Sequence, residues 1–407
     1  MQFDSILFLL FLLIVALVYQ ALPRWLLQKI WLVFVSYIFY AAWRPELTIL
    51  LLISTSVDWV AAQRIESSPN QSSRRSWLAV SLATNLGLLA YFKYGTFLLD
   101  NIAGLTKWTG WNLNIPHMDI LLPIGISFYT FQTLSYTIDV YRGKLKASYS
   151  FLDFSLFVSL FPQLVAGPIV RASQFLPQLR RRRKITRERL SRGLILFCFG
   201  LFSKIVLADS ILSPVVDQVY FTGPSSYLDS LSAILAFSGQ IYFDFSGYTS
   251  CALGIAILLG FTLPENFRSP YAAGGFSDFW RRWHITLSSW LRDYLYIPLG
   301  GNRKGPARTT INLMIVMILG GVWHGAAWHF VIWGLLHGSY LIMEFILLKL
   351  VPGLRIHLES IAARLVTFVL ISLSWVFFRA NDLAHAKAIL SGFTLTDAPM
   401  LISSRQL

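Results

Sequence analysis

The chain has few charged residues for its length. Asp, Glu, Lys and Arg make up 13% of its 407 residues, and hydrophobic residues make up 55%. A typical soluble domain carries about 25% charged residues. No polar stretch is long enough to form a soluble domain of its own. The composition therefore excludes an ordinary water-soluble protein and predicts a chain that is solvated mainly by lipid.

Cysteine is also scarce. The sequence contains Cys198 and Cys251, and both lie within apolar stretches. Two cysteines are too few for a disulfide framework or for a thiolate metal site. We interpret both as small residues of the core.

Long hydrophobic runs are abundant. A helix needs about 17 to 25 apolar residues to cross a hydrocarbon layer of about 30 Å. Such runs extend from Ser5 to Leu22, Leu47 to Ala62, Trp77 to Leu99, Ile311 to Val322 continued by Ala326 to Leu350, and Leu365 to Phe378. We predict an all-α, polytopic transmembrane protein of about 10–12 helices, with residues 1–407 forming a single membrane domain. The first run lacks a basic leader and a cleavage site, so we expect a retained span rather than a signal peptide.

The cations are spread in short clusters between the apolar runs. The formal net charge is +14, but this distribution follows the positive-inside rule, so nucleic-acid binding is an unnecessary hypothesis. The longest cluster extends from Arg171 to Arg192 and contains Arg180–Lys184. It predicts a cytoplasmic loop; an amphipathic helix on anionic headgroups or a docking site for an acidic partner are alternatives.

Proline and glycine break the apolar pattern in three places, 121–125, 161–168 and 296–302. Irregular backbone at membrane depth is tolerated where it is buried in protein or lines a cavity. These segments predict re-entrant pieces around a central chamber, and kinked ordinary helices are the alternative.

Histidines are the strongest candidates for chemistry, because ionisable residues within membrane segments are costly. His117, His357 and His385 lie in loop or helix-end contexts, which leaves His284, His324, His329 and His337. His324 follows Gly320, Gly321 and Trp323, and small residues allow a close approach by another backbone or by a substrate. A neutral imidazole there can act as general base on a hydroxyl. A satisfied structural histidine is the alternative.

Other catalytic arrangements are poorly supported. His324 and His329 are about 140° apart around a helix, so they do not share a face as zinc ligands would. No G-x-S-x-G motif is present, which argues against a serine nucleophile on a strand-to-helix turn. Asp244 is interpreted as a buried polar anchor that needs a partner such as an arginine or a tyrosine.

Several motifs together resemble the membrane-bound O-acyltransferase family, in its bacterial branch of alginate O-acetylation and teichoic acid D-alanyl-transfer proteins. They occur in the family's order from about residue 30 to 380, and family members usually continue further. The matching stretches are Leu122–Gln132, Phe161–Ile169, Asp244–Tyr248, Pro264–Phe267, Phe279–His284, Arg292–Gly301, Trp323–Gly325 and Trp375–Ala380.

The resemblance implies that His324 is the catalytic histidine and that His284 is the second histidine of this branch. It implies a tunnel that is lined or braced by Trp280, Trp283, Asp293, Trp323 and Asp244.

The implied donor is a cytoplasmic acyl thioester, acetyl-CoA or an acyl carrier protein, with no bound cofactor and no metal. The implied acceptor is an extracytoplasmic polysaccharide, modified together with a periplasmic or surface acyltransferase partner, at the inner (plasma) membrane. D-alanyl transfer to a cell-wall polymer is the alternative within the enzymes, and a transporter or a silent scaffold is the alternative outside them.

Overall fold

The computed structural model describes residues 3–110, 120–147 and 149–395, and no β-strand occurs among them. The prediction of an all-α fold is confirmed. The helices, in chain order, are α1 Ile6–Ala21, α2 Trp25–Ala41, α3 Thr48–Ser67, α4 Gln71–Leu89, α5 Gly95–Trp108, α6 Ile126–Tyr141, α7 Phe151–Ser159, α8 Phe161–Leu164, α9 Ala172–Phe175, α10 Arg187–Leu201, α11 Ser213–Thr222, α12 Tyr227–Leu258, α13 Phe276–Arg282, α14 Ile285–Leu291, α15 Pro306–His324, α16 Trp328–Leu350, α17 Leu354–His357, α18 Ile361–Arg379 and α19 Leu383–Ser391.

Six helical segments in the described part of the chain are long and apolar enough to cross a membrane. They are Pro45–Ser67, Arg187–Thr222, Tyr227–Leu258, Pro306–His324, Trp328–Leu350 and Ile361–Arg379. Two shorter apolar helices, Ile6–Ala21 and Trp25–Ala41, accompany them. The chain is therefore polytopic, while the expected total of 10–12 helices, the re-entrant segments and the tunnel stay predictions.

The chain forms two compact units. The first comprises Met1–Cys198 and Thr249–Pro264, and the second comprises Phe199–Tyr248 and Glu265–Leu407. The prediction of one domain over residues 1–407 stays a prediction. Each unit is described separately below.

In the first unit, a polar network joins α3, α4 and α6. Asp58 is buried and accepts hydrogen bonds from Ser81 and, at 2.8 Å, from Nδ2 of Asn85. Oδ1 of Asn85 in turn accepts from Ser54 and Thr133. Buried polar groups need such partners, so this network fixes how the three helices pair.

Two of the proline- and glycine-containing segments meet in this unit. Gly125 has a φ of 77°, and a Cβ built on it would lie 2.5 Å from the carbonyl oxygen of Leu164. Glycine is required there both by the left-handed backbone and by the close approach.

Two expectations for the first unit need correction. The basic segment is not one amphipathic helix, because residues 181–186 are not helical and α10 begins only at Arg187. The five cations Arg180–Lys184 are exposed. Cys251 is buried as expected, but Cys198 is exposed, so the prediction of two core cysteines was wrong for Cys198.

In the second unit, α15 and α16 form a tightly packed hairpin. A Cβ on Gly321 would lie 2.2 Å from the carbonyl oxygen of Phe330, and one on Gly334 would lie 2.5 Å from that of Met317. The backbones therefore touch where side chains would otherwise separate them. His324 is the last residue of α15, so this hairpin determines its place.

Candidate active site

His324 lies where α15 ends and the chain turns towards α16. Its side chain is partly buried. The ring centroid is 5.0 Å from that of Trp323, 5.2 Å from Trp333 and 5.1 Å from Phe378, all in edge-on geometry. Aromatic walls of this kind fix an imidazole while leaving part of it accessible.

His284 lies between α13 and α14 and has an unusual backbone. Its φ is 43°, and Ser269 is the other non-glycine residue with positive φ in the described part of the chain. Such left-handed positions are costly for a side chain, and they cluster at functional sites. The His284 side chain is 1% exposed, and its ring centroid lies 4.8 Å from that of Phe245.

Asn266 fixes the tautomer of His284. Oδ1 of Asn266 accepts hydrogen bonds from the backbone N–H and the hydroxyl of Thr286, at 3.2 and 2.8 Å. This atom is therefore the amide oxygen, and Nδ1 of His284, at 3.1 Å from it, must donate. The imidazole then has its lone pair on Nε2.

Burial lowers the pKa of His284 from 6.5 to about 3. Desolvation disfavours the charged form, so the ring is neutral at physiological pH. His284 lies outside the six candidate spans.

The structure brings the two predicted catalytic histidines together. The ring centroids of His284 and His324 are 6.4 Å apart, although 40 positions separate them in the sequence. Trp323 contacts both rings. Their assignment as catalytic residues stays a prediction.

Among the predicted tryptophans, Trp323 contacts both histidine rings, whereas Trp280 and Trp283 reach the pair through other aromatic rings. Trp280 and Trp283 lie on or directly after α13; Trp283 stacks on Phe279 at 5.6 Å and lies 4.9 Å from Trp375. Trp280 contacts the ring of Trp333 at 5.8 Å. A continuous set of rings thus extends from α13 to His324.

Sequence reasoning did not assign Trp333 and Trp375 to this set of rings. It also missed the contact that His337 makes there. Nε2 of His337 lies 2.9 Å from the hydroxyl of Ser374, which donates its proton to the carbonyl of Ile371. Nε2 of His337 therefore donates to Ser374. The spacing of Trp333 and His337 along one helix face was the available signal, but helical spacing alone does not separate a site from a core.

His329 has a structural partner. Its Nδ1 lies 2.8 Å from the carbonyl oxygen of Phe377 in the last turn of α18, where carbonyls lack intrahelical partners. His357 and His385 lie in the short helices α17 and α19. His117 lies outside the described residues.

The two predicted aspartates form ion pairs. Asp244 lies 2.6 Å from Nζ of Lys204, which also pairs with Asp209 at 3.1 Å. The Asp244 side chain is 48% exposed, so the prediction of a buried anchor was wrong, and its partner is a lysine rather than the expected arginine or tyrosine. Asp293 pairs with Nε of Arg292 at 2.8 Å. Asp244 directly precedes Phe245, which contacts His284; a lining role for either aspartate stays a prediction.

A cavity of about 1160 Å³ opens beside the ring cluster. Trp280 forms part of its wall, so the cavity adjoins the rings that surround His324. Its wall includes five cationic side chains, Arg281, Arg282, Arg292, Lys349 and Arg364, which outnumber three carboxylates, Asp278, Glu344 and Glu359. A basic cavity of this size suits an anionic ligand.

Known proteins with similar sequences include a peptidoglycan O-acetyltransferase from Helicobacter pylori, which is 39% identical over 394 residues covering 90% of this chain and 74% of that protein. A probable alginate O-acetylase AlgI from Azotobacter vinelandii is 40% identical over 354 residues, 86% of this chain and 69% of its own. A teichoic acid D-alanyltransferase from Bacillus subtilis is 29% identical over 233 residues, 54% of this chain and 58% of its own.

The family model of membrane-bound O-acyltransferases matches residues 48–378. This match covers every predicted site residue, and the relatives named O-acetyltransferase or O-acetylase align with most of the chain. The transporter and scaffold alternatives are therefore set aside. The chain, a multi-pass membrane protein and an O-acyltransferase, belongs to the membrane-bound O-acyltransferase family.

Proposed function

We propose that the protein transfers an acetyl or other short acyl group from a cytoplasmic thioester to hydroxyls of an extracytoplasmic polysaccharide, with His324 as general base. The observation that carries this proposal is the pairing of His284 and His324 at 6.4 Å. The basic cavity is connected to this pair through the rings of Trp280 and Trp333. The relatives named for O-acetylation of peptidoglycan and alginate support an acetyl group and a glycan acceptor.

The reaction needs one base and no covalent enzyme intermediate. His324 takes the proton of the acceptor hydroxyl as its oxygen attacks the thioester carbonyl carbon. The tetrahedral intermediate collapses, the carbon–sulfur bond breaks, and the imidazolium of His324 returns the proton to the leaving sulfur. The products are an ester and a free thiol, so His324 ends neutral.

His284 has the supporting role in this scheme. It is fully buried and its Nδ1 proton is committed to Asn266, whereas His324 is partly exposed. Because His284 is neutral, it adds no positive charge beside the proposed base.

The donor would occupy the basic cavity. Acetyl-CoA and an acyl carrier protein both present a thioester at the end of a phosphate-bearing pantetheine arm, and cations bind phosphate. Trp280 joins the cavity wall to the rings around His324, so a thioester could reach the base from this side. A periplasmic or surface acyltransferase partner would complete the modification at the inner (plasma) membrane.

D-alanyl transfer from a carrier protein to a cell-wall polymer is the second candidate. The D-alanyltransferase of Bacillus subtilis supports it, although that similarity covers 54% of this chain. Mass spectrometry of the acyl group released by mild alkali separates acetate from D-alanine.

The test is the O-acyl content of secreted polysaccharide, measured by NMR before and after mild alkali. A deletion strain receives wild type, His324→Ala, or His357→Ala as a matched control at an exposed histidine. We expect ester signal with wild type and with His357→Ala, and none with His324→Ala. Full ester signal from a well-expressed His324→Ala protein would disprove the mechanism.

A further inference from the structure

Glu344 is a buried carboxylate in α16, 8% exposed. Its oxygens accept hydrogen bonds from the backbone N–H groups of Phe276 and Ser277, the first two residues of α13. No lysine or arginine among the described residues pairs with it. An isolated buried charge is costly, so these N–H groups are what compensate it.

The N-terminus of α13 has no cap of its own. Gly275 occupies the N-cap position and supplies no side-chain hydrogen bond. The first N–H groups of a helix need external acceptors, and a negative charge is favourable there. Glu344 therefore caps α13 from a different helix.

The backbone before α13 is shaped for this contact. A Cβ on Gly275 would lie 2.8 Å from Oε2 of Glu344, and one on Gly274 would lie 1.7 Å from the carbonyl oxygen of Leu358. A residue larger than glycine would push against backbone at position 274 and would displace the Glu344 carboxylate at position 275. The backbone at Gly274 and Gly275 is thus packed closely between Leu358 and Glu344.

Ring contacts extend from the cap to the histidine pair. Phe276 stacks on Tyr340 at 4.8 Å, and Trp280 contacts His337 at 5.1 Å. These contacts pair α13 with α16 in a single register, and His284 follows two residues after α13 ends. A shift of α13 would therefore carry His284 with it.

We propose that Glu344 is a positioning residue that locks α13 to α16 and thereby sets His284 beside His324. The role in catalysis rests on the proposed acyl transfer; the anchoring itself does not. Glu344 acts through α13, since both of its carboxylate oxygens are engaged by backbone N–H groups of that helix.

The first test reads the anchor without any assay of activity. In purified protein we compare wild type, Glu344→Ala, Glu344→Gln and, as control, Glu46→Ala at an exposed carboxylate. Hydrogen–deuterium exchange follows the amides of Phe276 and Ser277, and diethyl pyrocarbonate labelling with mass spectrometry follows His284. We expect Glu344→Ala to raise the amide exchange rates and the labelling rate of His284 by at least about tenfold. Glu344→Gln keeps one acceptor oxygen, so its rates should be intermediate. The control should match wild type.

The second test measures acyl transfer per folded molecule in the same samples. We expect kcat of Glu344→Ala to fall about 10- to 100-fold, and kcat of Glu344→Gln to fall less. If Glu344→Ala shows the same amide exchange and His284 labelling as wild type, Glu344 does not anchor α13. Raised labelling with wild-type kcat would overturn its role in the reaction. If wild type itself transfers no acyl group, the proposed function fails, while exchange and labelling still decide whether Glu344 anchors α13.

Discussion

His284 donates its Nδ1 proton to Oδ1 of Asn266, and that single contact determines which nitrogen of the ring carries the lone pair. The same oxygen accepts from the backbone and the hydroxyl of Thr286. Asn266 therefore connects the loop before α13 to the start of α14 across the buried imidazole. Partners of this kind orient a functional histidine and are part of its site.

Replacing Asn266 should disturb this arrangement. Asn266→Ala leaves the Nδ1–H of His284 buried without its acceptor, and one such loss costs about 1–3 kcal/mol. We expect a lower unfolding temperature in detergent and reduced acyl transfer. The exposed Asn381→Ala serves as control and should match wild type; unchanged stability in Asn266→Ala would contradict the hydrogen-bond assignment.

Stability should fall in mild acid because of His284. Its pKa is about 3 in the folded protein and about 6.5 in an unfolded chain, so the unfolded chain takes up the proton first as the pH falls. The contribution of His284 to the free energy of unfolding is fully present above about pH 6.5 and is lost progressively as the pH falls toward 3. Unfolding temperatures at about pH 7.5 and about pH 5 should differ less for His284→Gln than for wild type. Equal differences would mean that His284 is not held neutral.

The contact between α15 and α16 should tolerate no added methyl group. Gly334→Ala would place Cβ 2.5 Å from the carbonyl oxygen of Met317, so the helices must separate; overpacking typically costs about 1–3 kcal/mol. We expect lower thermal stability and loss of activity, since His324 moves with α15. Gly87→Ala in α4 is the matched control, because nothing lies within 4 Å of its Cβ, and it should be neutral or slightly stabilising.

The cations of the cavity should act on donor affinity rather than on chemistry. Arg364→Ala removes one positive charge from the wall, and a hydrogen bond to a charged group is worth about 1.5–3 kcal/mol. We expect the KM for acetyl-CoA to rise about tenfold or more, with kcat little changed. Arg308→Ala, at an exposed arginine of α15, should leave both constants unchanged. A fall in kcat alone would argue against phosphate binding at Arg364.

The sequence predicted the helical class, and it singled out two histidines whose rings lie close together in the structure. Apolar runs located α1, α3, α15, α16 and α18 well, because the length of a span is set by the hydrocarbon layer. His284 and His324 were chosen from their surroundings of tryptophan and glycine, and the structure places them together. Gly321 makes the close backbone approach that was predicted, whereas its counterpart Gly334 was not singled out in the sequence.

Contacts between distant segments could not be predicted in the same way. Periodicity shows which face of a helix is apolar, but it does not say which residue of another segment lies opposite. The pairing of Asp244 with Lys204 and the capping of α13 by Glu344 depend on such long-range placement. The backbone of His284 was equally hidden, because a positive φ is uncommon for every residue other than glycine and no neighbouring residue marks this position.

The close approach of Gly274 to Leu358 also has a use in mapping the orientation of the chain. The connection between α16 and α18 is pinned at Leu358, whereas Gly353, a few residues earlier, is exposed and has nothing within 4 Å of a built Cβ. An epitope or a single reactive cysteine introduced at Gly353 should therefore leave the packing intact. Its accessibility from one side of sealed vesicles would show which compartment that connection faces, and hence on which side of the bilayer the basic cavity opens.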